Sequence, residues 1–311
     1  MKLVLECTGD VLEEMLKALK SACPTDERVY LIFQDDLIIL REVHIGIDRP
    51  ICWVEIDLSD KSDSALFSKV VVKSKQHKNT IVLEAVKTQV FEALKASSAL
   101  PGTQVTIRLA QENRSGSPHL YLEFRCVVPE EGENFSYEKQ VDIVINKANE
   151  DIIPEIPNAI ECEMVCLNHV IQIMRPLQGD DSAVILGLSL EKCQACAPRN
   201  KRDLDYLFAC NHARNKVEVP EKGDLTVMSV NSSPLQVIST YYQVPLLFGQ
   251  CSLKNIRATL KVKHLLELFQ KSSAVNWPKV MLGIQHEGGI IMTISKHESL
   301  SLRLLAPGHI E

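Results

Sequence analysis

Apolar positions along this chain recur mostly with a period of two, in short runs, the pattern of strands that bury one face. Such runs fall at Lys2–Glu6, Val29–Phe33, Leu37–Leu40, Ile51–Ile56, Val70–Lys73, Thr80–Ala85, Val105–Leu109, Leu120–Cys126 and Gln140–Ile145. Turn-forming residues separate them at Gln34-Asp35-Asp36, from Lys75 to Asn79, and from Asn113 to Pro118. Twice the alternation gives way to helical spacing. Leu12, Met15, Leu16 and Leu19 fall at i, i+3, i+4, i+7, one face of a helix. Further on, Thr88 is placed to cap a second helix whose apolar stripe is Val90, Phe91 and Leu94.

From Lys147 to Asn158 the pattern breaks, and Ile153-Pro154 and Ile156-Pro157 fall within it. Each proline lacks an N–H and restrains the residue before it, so this stretch reads as an extended connector. It divides the chain into a first domain of residues 1–146, a connector of 147–158 and a second domain of 159–311. The second domain repeats the plan of the first. A strand (Ile160–Val165) leads to a helix capped by Asn168, with Val170, Ile171, Met174 and Leu177 along one side. Strands are expected at Ala183–Leu190, Leu207–Cys210, Val217–Val219 and Leu225–Val230, then a helix over Val262–Gln270. Three strands close the chain, Val280–Ile284, Ile290–Ile294 and Leu300–Leu305, the first two joined as a hairpin by Glu287-Gly288-Gly289. In both halves the second helix precedes three closing strands. Two stretches depart from the repeat, at about 191–223 and 231–250, and read as insertions; the latter is apolar but aperiodic, with Pro234 and Pro245.

Composition narrows the class. With 311 residues, 45 % hydrophobic and 24 % charged, the chain can bury a sizeable core. No run approaches the roughly 20 apolar residues that a membrane span requires, and Met1–Glu6 alternates where a secretory signal would be basic and then apolar. Of the ten cysteines, Cys52, Cys126, Cys162 and Cys166 sit in apolar runs and read as buried, reduced thiols. The net charge of −6 argues against a protein that coats nucleic acid over its whole surface, but permits a local basic track.

The polar helix faces are where such a track would lie. Glu13, Lys17 and Lys20 share a face of the first helix, Glu92 and Lys95 of the second, Gln172 and Arg175 of the third. Lys263, Glu267 and Gln270 do so on the fourth, with Lys271 just past its end. A mixed-charge face is the ordinary condition of an exposed helix; set along one concave surface, the same cations would meet phosphates without reading sequence. Cys193, Cys196, Cys210 and His212 form a four-ligand set open to zinc, although the second pair lacks a common zinc spacing and ordinary thiols are the simpler reading. Catalytic signatures are missing: no glycine-rich phosphate loop and no Gly-x-Ser-x-Gly elbow. Asp35-Asp36 and Glu130-Glu131 read as solvated turn residues, and His264 and Trp277 as structural.

Several stretches resemble the sliding-clamp superfamily, and within it the Hus-one-like subunits of the nine-one-one DNA-damage checkpoint clamp. They are Thr80–Val86 running into Phe91–Lys95, His169–Arg175, Lys261–Phe269, the Leu302–Pro307 ending and the Ile-Pro connector. The resemblance spans most of residues 1–190 and 252–307 and rests on the order and spacing of short motifs. It implies an α+β DNA-clamp fold, with two similar domains that each place β-sheets outside and two helices inside. It implies that Lys17, Lys20, Lys95, Arg175, Lys263 and Lys271 face duplex DNA, without sequence specificity. It further implies that the connector docks partner peptides, through Ile153-Pro154 or Ile156-Pro157. The implied partners are two paralogous clamp subunits, Rad-nine-like and Rad-one-like, a clamp loader, and repair and checkpoint proteins. The implied setting is the nucleus, with the cytoplasm as a second location. No cofactor, metal or catalytic residue is expected. Two other readings stand beside this one: a self-associating replication clamp, and a zinc-stabilised α+β enzyme that uses the first insertion as a lid.

Overall fold

Strand formation here follows from aliphatic and β-branched residues at alternate positions, whose side chains are sealed on one face. A computed structural model describes residues 1–23, 27–43, 50–59, 65–76, 79–96, 102–111, 117–127, 134–147, 159–164, 167–177, 183–189, 222–230, 238–248 and 255–308. The chain divides into two units: Met1–Ile45 with Cys52–Pro154 and Ser295–Leu302, and Gly46–Ile51 with Glu155–Ile294 and Arg303–Glu311.

The first half runs β1 (Lys2–Thr8), α1 (Gly9–Ala22), β2 (Arg28–Phe33), β3 (Leu37–Glu42), β4 (Ile51–Asp57), β5 (Phe67–Lys73), β6 (Ile81–Val86), α2 (Lys87–Lys95), β7 (Gln104–Gln111), β8 (Pro118–Val127) and β9 (Asn134–Asn146). All its ladders are antiparallel. One sheet orders as β5-β1-β7-β8-β9, with Leu5 opposite both Val70 and Ile107. A second orders as β4-β3-β2-β6-β9. Strand β9 serves both, pairing with β8 over Asn134–Asp142 and with β6 over Ile143–Asn146. Met15 of α1 and Val90, Ala93 and Leu94 of α2 meet Leu31, Leu40, Ile107 and Leu122, so one apolar core joins the helix pair to both sheets.

The second half runs β10 (Ile160–Glu163), α3 (Leu167–Met174), a 3-10 turn (Arg175–Leu177), β11 (Ala183–Ser189), β12 (Lys222–Val230), β13 (Ile238–Phe248), β14 (Asn255–Lys261), α4 (Val262–Val275), β15 (Lys279–Ile284), β16 (Ile290–His297) and β17 (Leu300–Ala306). The pairing repeats that of the first half. Strand β10 lies between β13 and β15 as β1 lies between β5 and β7. Strand β11 lies between β12 and β14 as β2 lies between β3 and β6. Each half's second helix is followed by three strands, as the sequence pattern requires.

Several local expectations need correction. The aperiodic stretch at 231–250 contains strand β13, which pairs with β12 and then with β10. This one strand takes both the role of β4 and that of β5. Its alternation is obscured because it changes partner midway, and Pro245 falls at the last rung with β12, where a lost N–H does least damage. Strand β14 was not expected, yet it has strict alternation: Ile256, Ala258 and Leu260 are buried. Strand β9 starts six residues earlier than its apolar pattern, because its first part is mostly exposed and carries only Tyr137 half-buried. Thr88 is not a cap: α2 begins at Lys87, with Val86 in the cap position and no side-chain cap bond. Helix α3 begins at Leu167, one residue ahead of the expected cap Asn168. Lys271 lies inside α4, which continues to Val275 and closes on Asn276 in the left-handed conformation, φ 53°. The expected strands at Leu207–Cys210 and Val217–Val219 lie outside the described residues.

Candidate nucleic-acid interface

Helix α1 buries Val11, Leu12, Met15, Leu16, Ala18, Leu19 and Ala22, which leaves Asp10, Glu13, Glu14, Lys17 and Lys20 on the outer face. Its entry is fixed by the Gly9 amide donating to the Thr103 carbonyl at 2.9 Å, and its end by the Cys23 amide donating to Leu19. Helix α2 packs beside it and is fastened at its first turn. The Lys87 ammonium donates to the Cys23 carbonyl at 3.2 Å, satisfying an acceptor at the end of α1. Gln89 donates to the Asp142 carboxylate at 3.1 Å and accepts from the Asp142 amide at 2.9 Å, binding α2 to β9. Glu92 and Lys95 are left exposed on the outer face.

In the second unit α3 and α4 pack against each other. Val170, Ile171 and Met174 face inward, while Gln172 and Arg175 are exposed. On α4, Val262, Leu265, Leu266, Leu268 and Phe269 are buried and Lys263 and Gln270 exposed. His264 and Trp277 are buried.

The expected DNA-facing cations therefore differ in their surroundings. Lys17 is exposed but shared by two carboxylates, Glu13 at 3.2 Å and Glu14 at 3.1 Å. The hydrogen bond to Glu14, and then that to Glu13, raises its pKa above the ordinary lysine value. Lys271 is bound to Glu267 at 2.8 Å, and its side chain is only 13 % exposed. Lys20, Lys95, Arg175 and Lys263 are exposed, with no carboxylate within 4.0 Å among the described residues. Sequence reasoning did not reach Lys296, which the fold of the first unit brings to within 3.5 Å of Glu14. No local spacing relates those two positions. The formal charges of α1 and α2 cancel, with Lys17, Lys20, Lys87 and Lys95 against Asp10, Glu13, Glu14 and Glu92. The second unit's helical residues carry Arg175, Lys263 and Lys271 against Glu267, an excess of positive charge.

The first unit also presents an unfilled strand edge. Among the described residues, each position of β9 has a ladder partner on one side only. Val144 is 51 % exposed, and Phe135 and Ile145 are also open to solvent. The Ile153, Pro154, Ile156 and Pro157 connector lies outside the described residues, as do Cys193, Cys196, Cys210 and His212. Among the described residues no group of three His, Cys, Asp or Glu side chains is placed to hold a metal ion.

No family model matches this chain, and no curated protein matches it. Solved structures do. The proliferating cellular nuclear antigen (PCNA) of Entamoeba histolytica matches with a TM-score of 0.55 at 13 % identity, covering 99 % of each chain. A. fulgidus PCNA, solved with the C-terminal region of FEN-1 bound, matches with a TM-score of 0.55 at 11 % identity over 99 % of each chain. Thermococcus kodakaraensis PCNA matches with a TM-score of 0.55 at 14 % identity, over 98 % of this chain and 99 % of that one. The chain has the α+β DNA-clamp fold.

Proposed function

We propose that this chain is a non-catalytic subunit of a sliding clamp that encircles duplex DNA, and that its place is in a heterotrimeric checkpoint clamp. The observation that carries the DNA reading is the set of four exposed cations, Lys20, Lys95, Arg175 and Lys263, spread over the helices of both units. In this fold a thin set of this kind, free of carboxylates among the described residues, gives phosphate contacts that are weak, salt-dependent and blind to sequence, as a mobile ring requires. Lys17 and Lys271 are subordinate contacts in this proposal, since carboxylates already hold them.

The open edge of β9 supports assembly with further clamp chains, because an unpaired row of backbone groups is a template for another strand. The sequence resemblance supports Rad-nine-like and Rad-one-like partners, delivery by a clamp loader, and work in checkpoint signalling and repair in the nucleus. FEN-1 is bound to the A. fulgidus relative in fold; by analogy the Ile153–Pro157 connector would dock repair and checkpoint proteins here. A self-associating replication clamp is the second reading, favoured by the identity of the matching structures as PCNAs.

Light scattering coupled to size exclusion separates the two: a monomer at micromolar concentration supports the heteromeric clamp, a homotrimer the replicative one. The DNA role is tested by reversing Lys95 and Arg175 together and measuring retention of the assembled ring on closed circular DNA. Reduced retention at moderate salt is expected; unchanged retention sinks the helix-face assignment.

A further inference from the structure

Within the first unit, the positive groups near α1 are not equivalent, and two glutamates make the difference. Glu13 and Glu14 precede Lys17 by four and three positions, so both carboxylates and the ammonium lie on one face of the helix. The same Glu14 oxygen that accepts from Lys17 at 3.1 Å lies 3.5 Å from the Lys296 ammonium. Two cations and two anions thus form one neutral cluster. Lys20 stands one turn further along the same helix, exposed and outside the cluster.

Stability does not explain the cluster. Lys17, Glu13 and Lys296 are between 44 % and 49 % exposed, and exposed pairs of this kind contribute about 0–1 kcal/mol each. Their effect on a polyanion is larger. A lysine contributes to DNA binding by displacing condensed counterions, about 0.9 in the slope of log K against log salt for each phosphate neutralised. A lysine already neutralised by carboxylates contributes little of this, and the carboxylates themselves repel phosphate.

We propose that Glu13 and Glu14 are charge-masking residues that withhold Lys17 and Lys296 from phosphate. The first unit's helix face then grips duplex DNA through Lys20 and Lys95 and stays weak enough to slide. This rests on the reading that duplex DNA passes along the helix faces. It assigns to two acidic residues a role in setting the strength of that contact.

The test is duplex binding by the full chain, followed by fluorescence anisotropy across a salt series at low ionic strength. Glu13→Gln with Glu14→Gln is expected to tighten binding several-fold and to steepen the salt slope by about 1 to 2, one phosphate for each freed lysine. Adding Lys17→Ala should reverse part of that gain, whereas Lys17→Ala in the unaltered chain, which bares the Glu13 and Glu14 carboxylates, should weaken binding without making the salt slope shallower by a full phosphate. Glu123→Gln with Glu138→Gln is the control for net charge, because these carboxylates pair with Arg125 and Arg108 on β8 and β7; it should leave the slope unchanged. Thermal melting reports whether each variant is folded. If Lys20→Ala with Lys95→Ala weakens binding but the glutamate variant does not tighten it, masking is overturned and the DNA reading stands. If neither set of variants alters binding, or if no form binds, both are overturned.

Discussion

The hydroxyl of Tyr137 donates a 2.6 Å hydrogen bond to the carbonyl of Ala96, joining strand β9 to the end of helix α2. The last carbonyls of a helix have no partner within it, so a side chain that reaches one fixes where the helix stops. Burial raises the Tyr137 pKa above the ordinary tyrosine value. Phe124 stacks on the same ring at 4.7 Å and holds it in place.

Tyr137→Phe keeps that stack and removes only the donor. The expected cost is about 1 kcal/mol, the usual net worth of one such bond. Urea denaturation should show a lower midpoint with an unchanged slope. An unaltered midpoint would mean that water replaces the hydroxyl without loss.

Cys7 and Cys162 are buried thiols, each pushed up to about 12 by burial. In the unfolded chain they ionise near about 8.5. The folded state therefore binds the extra proton, and their contribution to stability is complete below that value. It declines as pH rises from there through about 12. Stability measured against pH should fall across this window, and less so in a Cys7→Ala, Cys162→Ala variant. Both thiols should resist alkylation in the native protein at pH about 8 and react on unfolding.

The hairpin between β15 and β16 turns on Gln285–Gly289, where the Gln285 amide donates to the Gly289 carbonyl at 3.1 Å. A Cβ on Gly289 would lie 2.2 Å from the Ala306 backbone oxygen, a contact that only backbone movement relieves. Gly102 differs: its φ is +75°, but nothing lies within 4 Å of an added Cβ. Gly102→Ala is expected to cost about 1–2 kcal/mol of left-handed strain. Gly289→Ala should cost more, which parallel denaturation curves of the two variants will show. Equal losses would contradict the steric account.

Val144 faces solvent near the end of β9. Val144→Lys should leave the isolated chain's stability within about 0.5 kcal/mol, as for most exposed substitutions. It should weaken association with other clamp chains if β9 is the edge they pair with, because a lysine on an edge strand opposes strand addition. Light scattering of mixtures with and without the substitution measures this, and unchanged assembly would move the interface elsewhere.

Much of this architecture was legible in the chain because it depends on local spacing. The apolar faces of α1, α2 and α4, the early strands, and the three strands after each second helix all follow from periods of about 2 and 3.6 residues. That Lys17 shares a helix face with Glu13 was visible for the same reason, the two lying one helical turn apart; that they pair is the structure's finding. Strand β13 was not: its ladder passes from β12 to β10, and a period read along one strand assumes one partner. Lys271 seemed to lie beyond its helix because Ser272, Ser273 and Asn276 disguise the last turn.

By itself, then, the sequence determined which residues share a face, since a backbone turn or pleat settles that within a few positions. Only the tertiary structure decided which of the exposed cations stay unpaired. Glu14 meets Lys296 through the packing of segments far apart in the chain, and Lys87 is consumed by the carbonyl of Cys23. Electrostatic partnership acts through distance in space, and that distance exists only once the sheets have set their register.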